Sequence, residues 1–229
     1  SIYIDTKEQI IWIIEAVNSF EPDFFICDWI VVGILASRWI KLSGIPCVCT
    51  HLSDDPYFWR IMYHFVDSSS GKWQISGVAC VSIQILNKLS NNYKDSNIPF
   101  YYIPQSTHLP IQKCLDTTSL NIVYSGRIEN TQKQIAKLTN SLCDATESIS
   151  NSSATLIGTG PDENLVIETI KQRNCSKSVY FHGPVAHKNI FKFLKNFNVI
   201  ILLSNYEGVP ASIIEGMACG LVPVCLKCP

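Results

Sequence analysis

The chain has 229 residues, 47% of them hydrophobic and 16% charged, with a formal net charge of −1 at pH 7. That composition suffices for one large or two small packed cores and argues against disorder. A near-neutral balance without a long basic block argues against nucleic acid as a partner and leaves any phosphate binding to local groups. No apolar run approaches the ~18–20 residues of a membrane span, because the stretch from Trp29 is broken by Arg38 and Lys41.

Near the start, Asp5, Lys7 and Glu8 stand where a signal peptide would place its apolar core, so the sequence reads as cytoplasmic. Ile10, Ile13, Ile14 and Val17 recur at helical spacing ahead of Pro22 and predict an amphipathic helix over 7–20. Residues 24–27 then predict a buried strand, the segment to about Ser43 a helix, and 46–50 a strand closed by His51. Further on come a strand over 77–81, a helix over 82–91 and a short strand over 100–103. Pro104, Pro110 and the polar run Asp116-Thr117-Thr118-Ser119 show no period and mark a boundary, dividing 1–108 from 109–229.

The alternation restarts with strands over 121–124, 155–157, 179–181, 199–203 and 222–225. Helices over 132–149, 162–174 and 187–195, and one starting near Pro210, lie between them. Short apolar strands alternating with helices predict an α/β fold whose mostly parallel sheets are covered on both faces. In such sheets ligands bind beyond the carboxyl ends of the strands.

The richest stretch for chemistry runs from Ser204 to Val224. Glu207 and Glu215 lie eight positions apart across a loop-to-helix junction, with Gly208-Val209-Pro210-Ala211 between them. Proline suits the first position of a helix, and the free N–H groups there favour an anion such as phosphate. Carboxylates accept hydrogen bonds only, so they suit sugar hydroxyls and require cations between themselves and a phosphate. Arg127, at the end of a strand, and Lys133, six residues on, supply two such cations; a solvated helix start accounts for them equally well. Gly158-Thr159-Gly160-Pro161 and Phe181-His182-Gly183-Pro184 are further strand-end turns, the first lacking the third glycine of a dinucleotide fingerprint. His51 ends a strand in the first half, either as a site residue or as an ordinary polar terminus.

Most of the ten cysteines sit singly in apolar runs and read as buried free thiols of a reducing compartment. Cys225-Leu226-Lys227-Cys228 lacks the second half of a zinc site. Asn151-Ser152-Ser153 and Asn174-Cys175-Ser176 match the glycosylation sequon, a weak signal without secretion.

In order along the chain, Gly126-Arg127 with Lys133, the Gly158-x-Gly160-Pro161 turn, the Phe181-x-Gly183 turn and Glu207-x7-Glu215 ending in Glu-Gly-Met-Ala-x-Gly resemble the GT-B glycosyltransferases. The likeness is to the retaining family 4 group, the glycosyl transferases group 1. It covers most of residues 120–225 and is looser in the first half, where it rests on Glu21-Pro22-Asp23, Gly44-Ile45-Pro46 with His51, and Ile103-Pro104.

The resemblance implies two Rossmann-like domains with parallel sheets: a partial acceptor-side domain over 1–108 and a nucleotide-sugar-binding domain over 109–229. It implies metal-independent transfer of a sugar with retained configuration (a hexosyltransferase, EC 2.4) from a UDP- or GDP-sugar donor, with no further cofactor. The acceptor stays open among saccharide, lipid and small molecule, as does peripheral contact with a membrane. Arg127 and Lys133 would neutralise the departing diphosphate, Glu215 would bind ribose and Glu207 the donor sugar, with His51 near that sugar. Gly158, Gly160, His182, Gly208, Val209, Pro210 and Ala211 would line the donor site. It further implies a fragment, because the family's first strand and glycine-bearing loop are absent and the chain stops at Pro229, where the family fold continues. The alternatives are a non-catalytic nucleotide-sugar-binding module and a GT-B epimerase or phosphorylase.

Overall fold

A computed structural model of the chain describes residues 5–28, 31–63, 66, 75–110 and 118–227. It divides into two compact units, Ser1–Gln105 and Ser106–Pro229, each with its own parallel sheet.

The first unit runs α1 (Thr6–Phe20), β1 (Phe25–Ile26), α2 (Val31–Leu42), β2 (Cys47–His51), α3 (Pro56–Met62), β3 (Gly77–Cys80), α4 (Ile83–Asn92) and β4 (Phe100–Tyr102). Its four strands lie side by side in sequence order, all parallel. The stripe Ile10, Ile13, Ile14 and Val17 packs on Ala36, Ile40 and Cys47, as its spacing requires. Helix α4 starts where Ser82 accepts the N–H of Ile85 at 3.1 Å. Helix α3 had no sequence forecast. Asp55 caps it, accepting from the N–H groups of Tyr57 and Phe58 at 2.8 and 3.2 Å ahead of Pro56 in the first turn. Asp54 takes the indole N–H of Trp59 at 2.7 Å and pairs with Lys88. These adjacent acids therefore serve the local structure.

The second unit runs β5 (Leu120–Ser125), α5 (Asn130–Lys133), α6 (Ile135–Ser148), β6 (Ser152–Ile157), α7 (Glu163–Gln172), β7 (Val179–Gly183), a 3-10 turn (His187–Asn189), α8 (Ile190–Leu194), β8 (Val199–Leu202), α9 (Ala211–Ala218) and β9 (Val222–Cys225). The strand order is β7-β6-β5-β8-β9, all parallel. The chain builds outward from β5 to β7, then returns to the other side of β5 with β8. In parallel sheets, a pair of neighbouring strands at which the direction of growth reverses, as β5 and β8 are, is where a ligand crevice forms beyond the carboxyl ends. The loop carrying Arg127 and the loop carrying Glu207 follow those two strands. The core between sheet and helices holds Val123, Tyr124, Leu138, Leu142, Leu156, Val166, Leu194 and Ile200, all nearly inaccessible.

Three expectations are corrected. The helix forecast over 132–149 is two helices, broken at Gln134, whose backbone is left-handed (φ 46°). Pro210 caps α9 from outside, with extended ψ of 116°, so the first helical residue is Ala211. Cys143 and Cys175 are not free thiols: they form a disulfide with a Cα–Cα distance of 5.9 Å, joining α6 to the turn after α7. Cys27, Cys47, Cys49, Cys80 and Cys219 are buried free thiols as expected, and Cys225 is exposed. Cys114, and Cys228 of the C-x-x-C pair, lie outside the described residues. Asn151 and Asn174, the sequon asparagines, both adopt left-handed turns (φ 58° and 55°), a conformation asparagine tolerates better than most residues.

Gly216 seats α9 on the sheet. A Cβ there would stand 2.7 Å from Cγ2 and 2.8 Å from Cδ1 of the fully buried Ile200 on β8. Gly216→Ala is expected to cost about 1–3 kcal/mol through overpacking, read by urea unfolding; unchanged stability would contradict this close approach.

Candidate donor site at the crevice between β5 and β8

Beyond β5 the backbone turns through Gly126, Arg127 and Ile128 into α5. Tyr124, fully buried, donates its hydroxyl to the carbonyl of Arg127 at 2.7 Å. Burial pushes this phenol well above its ordinary range, and the Glu207 carboxylate adds to the effect against the pull of Arg127. The hydroxyl thus keeps its proton and holds the turn. Glu129 caps α5 by accepting from the N–H groups of Thr131 (2.6 Å) and Gln132 (3.1 Å). Asp162 accepts from the N–H of Asn130 at 2.7 Å, fastening the same turn from the far side.

The two glycines of Gly158-Thr159-Gly160 explain how this turn can sit so close to the end of β6. A Cβ on Gly158, whose φ is +139°, would stand 1.8 Å from the Gly126 carbonyl oxygen; one on Gly160 would stand 2.1 Å from that of Ile128. Both positions need glycine for backbone-to-backbone packing. Gly158 also lines an open cleft of about 460 Å³ together with Ser125, Gly126, Arg127, Ile157, Thr159, Pro184, Val185 and Ile190.

Across the crevice the loop after β8 meets α5 through four contacts. The backbone N–H of Asn205 donates to the Gln132 carbonyl at 2.8 Å, and the Asn205 side-chain amide donates to the Thr131 carbonyl at 2.6 Å. The Gln132 side-chain amide donates to the Tyr206 carbonyl at 3.1 Å. Lys133 Nζ pairs with Glu207 Oε1, the two side chains being only 13% and 16% exposed. Arg127 Nη2 donates to Gln132 Oε1 at 2.6 Å. Arg127, Lys133 and Glu207 therefore belong to one hydrogen-bonded group.

Glu215 lies one turn into α9, outside that group, with a side chain 13% exposed. His187 Nε2 stands 3.4 Å from its Oε1 and makes an ion pair only when the imidazole is protonated. Gly208, Val209 and Pro210 are half-buried between Glu207 and the start of α9. The N–H of Ile213 donates to the Pro210 carbonyl at 3.1 Å, and the helical N–H groups ahead of it have no carbonyl one turn earlier to receive them. His182 is exposed, its ring edge-on to Phe193 at 4.7 Å, and it does not line the cleft with Gly158. Sequence reading missed Gln132, Asn205 and His187. Glutamine and asparagine carry no motif, and the contact of His187 with Glu215 spans 28 positions.

In the first unit, His51 ends β2 fully buried. Its ring stands 4.8 Å from that of Trp59, and neither ring nitrogen has a hydrogen-bond partner among the described residues. Burial pulls its imidazole down to about 4, against the opposing influence of Asp54 and Asp55, so it is neutral near pH 7. As pH falls from about 6.5 toward about 4, the unfolded chain takes up this proton before the folded one does. Stability present above that window is thus lost within it, by up to about 3 kcal/mol. His51→Gln is expected to flatten this part of the pH profile of urea unfolding; an unaltered slope would contradict a buried neutral imidazole.

Parallel strands, a strand order that reverses at β5, and cations in the turn and short helix that follow it define an α/β protein with a candidate ligand site beyond its strand ends. The family model described as glycosyl transferases group 1 matches residues 109–229, and the chain belongs to that family. An uncharacterized glycosyltransferase of Methanocaldococcus jannaschii is 34% identical over 83 residues, which are 36% of this chain and 20% of that protein.

Among solved structures, sucrose-phosphate synthase from Thermosynechococcus elongatus has a TM-score of 0.75 at 15% identity, covering 96% of this chain and 60% of that one. Anabaena HepE in complex with UDP has 0.69 at 14%, covering 96% and 63%. A mutant of S. aureus TarM in complex with UDP, fondaparinux and alpha-GlcNAc-glycerol has 0.70 at 14%, covering 97% and 45%. These likenesses place the fold among GT-B glycosyltransferases. The chain spans a fifth of the curated relative's length and 45–63% of these three structures. Among the described residues, no helix is long and apolar enough to cross a membrane.

Proposed function

We propose that this chain carries the donor side of a retaining glycosyltransferase that takes a sugar from a nucleoside diphosphate. The observation that supports this reading best is the charge group at the crevice: Arg127, Lys133 and Glu207, fastened between the loops after β5 and β8. The diphosphate of a UDP- or GDP-sugar lies against Arg127 and the first turn of α9, with the nucleoside along the cleft lined by Gly158 and Pro184. TarM and HepE were each solved with UDP, which favours a nucleotide-sugar donor of that class.

In this reading the ligand-free site is self-neutralised. Lys133 rests on Glu207, and an arriving diphosphate draws the ammonium onto its own oxygens because it carries the larger negative charge. Glu207 is then free to accept hydrogen bonds from donor-sugar hydroxyls, and Glu215 from those of the ribose. When the anomeric carbon–oxygen bond breaks, its electron pair ends on the diphosphate. The acceptor hydroxyl forms the new bond with retention of configuration, and its proton leaves with the departing phosphate. Arg127, Lys133 and the α9 N–H groups stabilise charge that grows in that step, as fixed donors aimed at a developing anion do. Two fixed cations supply the neutralisation that a divalent ion gives in other phosphate sites, so the transfer is metal-independent.

Calorimetry with UDP and GDP tests the reading. At least one should bind, Arg127→Ala should weaken it about 10–100-fold, and rising salt should weaken the wild type more than the variant. Absence of binding by both nucleotides, or an Arg127→Ala protein that binds as tightly as wild type, would overturn it.

A further inference from the structure

We infer that Gln132 is a positioning residue that aims the Arg127 guanidinium at the donor phosphates without neutralising it, an inference that rests on the donor-site reading above.

Gln132 is 9% exposed, and a buried carboxamide must have both its oxygen and its N–H groups met. Its Oε1 accepts from Arg127 Nη2 at 2.6 Å, and its Nε2 donates to the Tyr206 carbonyl at 3.1 Å. Its backbone carbonyl accepts from Asn205 at 2.8 Å, and its backbone N–H donates to Glu129 at 3.1 Å. One residue thus joins the turn after β5, the helix α5 and the loop after β8. The Arg127 side chain projects from an exposed position and, left to itself, would sample many rotamers. Holding it before the ligand arrives removes part of the entropic cost of binding.

The choice of a neutral acceptor has an electrostatic consequence. A carboxylate at 132 would hold Arg127 in an ion pair that competes with phosphate, whereas an amide oxygen orients the guanidinium and leaves its charge uncompensated. Against desolvation, hydrogen bonds from Gln132 and Thr131 hold the Glu129 carboxyl low, and the nearby Arg127 cation adds to them. A second acid at 132 would tip the turn toward net negative charge. The amide is also the group that can both accept from Arg127 and donate to the Tyr206 carbonyl; a carboxylate would set two acceptors against each other.

The test is a double-mutant cycle on the full chain with Arg127→Ala, Gln132→Met and the double variant. UDP and uridine, and GDP and guanosine, are titrated by calorimetry, with thermal unfolding run alongside. Gln132→Met should weaken the diphosphate about 5–20-fold, leave any nucleoside affinity unchanged, and cause no further loss on the Arg127→Ala background. A purely structural role would lower the thermal midpoint without altering the ratio of diphosphate to nucleoside affinity. Losses that multiply in the double variant, or fall equally on nucleoside and diphosphate, overturn the inference while leaving the donor site standing. If Arg127→Ala itself has no effect, or neither diphosphate binds, the donor-site reading fails and the inference with it.

Gln132→Glu covers the case in which the methionine variant does not fold, because it keeps an acceptor for Arg127. It should weaken the diphosphate about 10-fold at low salt, and unchanged affinity overturns the inference. A readout free of ligand is amide hydrogen exchange over residues 204–208. Exchange there should quicken in either variant while β5 and β6 stay protected, and unchanged exchange contradicts the link through Gln132.

Discussion

The hydrogen bonds between α5 and the loop after β8 are the contacts on which the rest of the site depends. They are possible only because β5 and β8 are neighbours, Ile122 beside Val199 and Val123 beside Ile200, although 77 positions separate Asn121 from Asn198, whose side chain accepts the Asn121 N–H at 2.6 Å. A parallel sheet that reverses its direction of growth at this pair brings two loops of distant sequence to one edge. Gln132, Asn205 and the Lys133–Glu207 pair then lock them together. Remove that adjacency and Arg127 is an exposed arginine after a strand, Glu207 an acid in an unrelated loop.

The surrounding turn is over-determined, as a site meant to be in place before its ligand must be. Tyr124 holds it from below, Asp162 and Glu129 hold its N–H groups, and Gly158 and Gly160 let it lie against the end of β6 with no side chain between. The left-handed Gln134 ends α5 after four residues and lets α6 start in a new direction. Lys133 is thereby left at the end of a short turn facing Glu207. Such a backbone conformation costs a non-glycine residue about 1 kcal/mol, which the capping contacts offset. At rest the acid and the ammonium satisfy each other, and the guanidinium of Arg127, held by a neutral amide, keeps its charge available.

Much of this fold could be read from the chain. Apolar runs such as 199–203 and the stripe Ile10, Ile13, Ile14 and Val17 report periodicity directly, and they fall in β8 and α1. Arg127, Lys133, Glu207 and Glu215 could be singled out because charge in the loop after a strand, or in the helix that follows it, is a local signal. The remainder depends on contacts distant in sequence or on geometry that propensity does not encode. The seven residues of α3 are too few to show a period. Gln134 is a good helix former whose left-handed backbone nonetheless separates two helices, and Asn130 Oδ1 of the first accepts the Ala136 N–H of the second at 3.1 Å. The Cys143–Cys175 bond joins residues 32 positions apart that each look like core cysteines. Gly-x-Gly read as a strand-end turn short of a dinucleotide fingerprint, and its tightest constraint is a carbonyl of its own chain. Gln132 carries no motif, since its importance lies in four partners on two segments far apart in sequence.

The account stands on the crevice between β5 and β8 holding a diphosphate by Arg127 and Lys133. The most direct measurement is a crystal structure of the chain with whichever of UDP or GDP it binds. Phosphate oxygens within about 3 Å of the Arg127 guanidinium and the Lys133 ammonium, with Lys133 drawn off Glu207, are the expected result. A nucleotide seated elsewhere, with the Lys133–Glu207 pair intact and Arg127 still facing only Gln132, would contradict it.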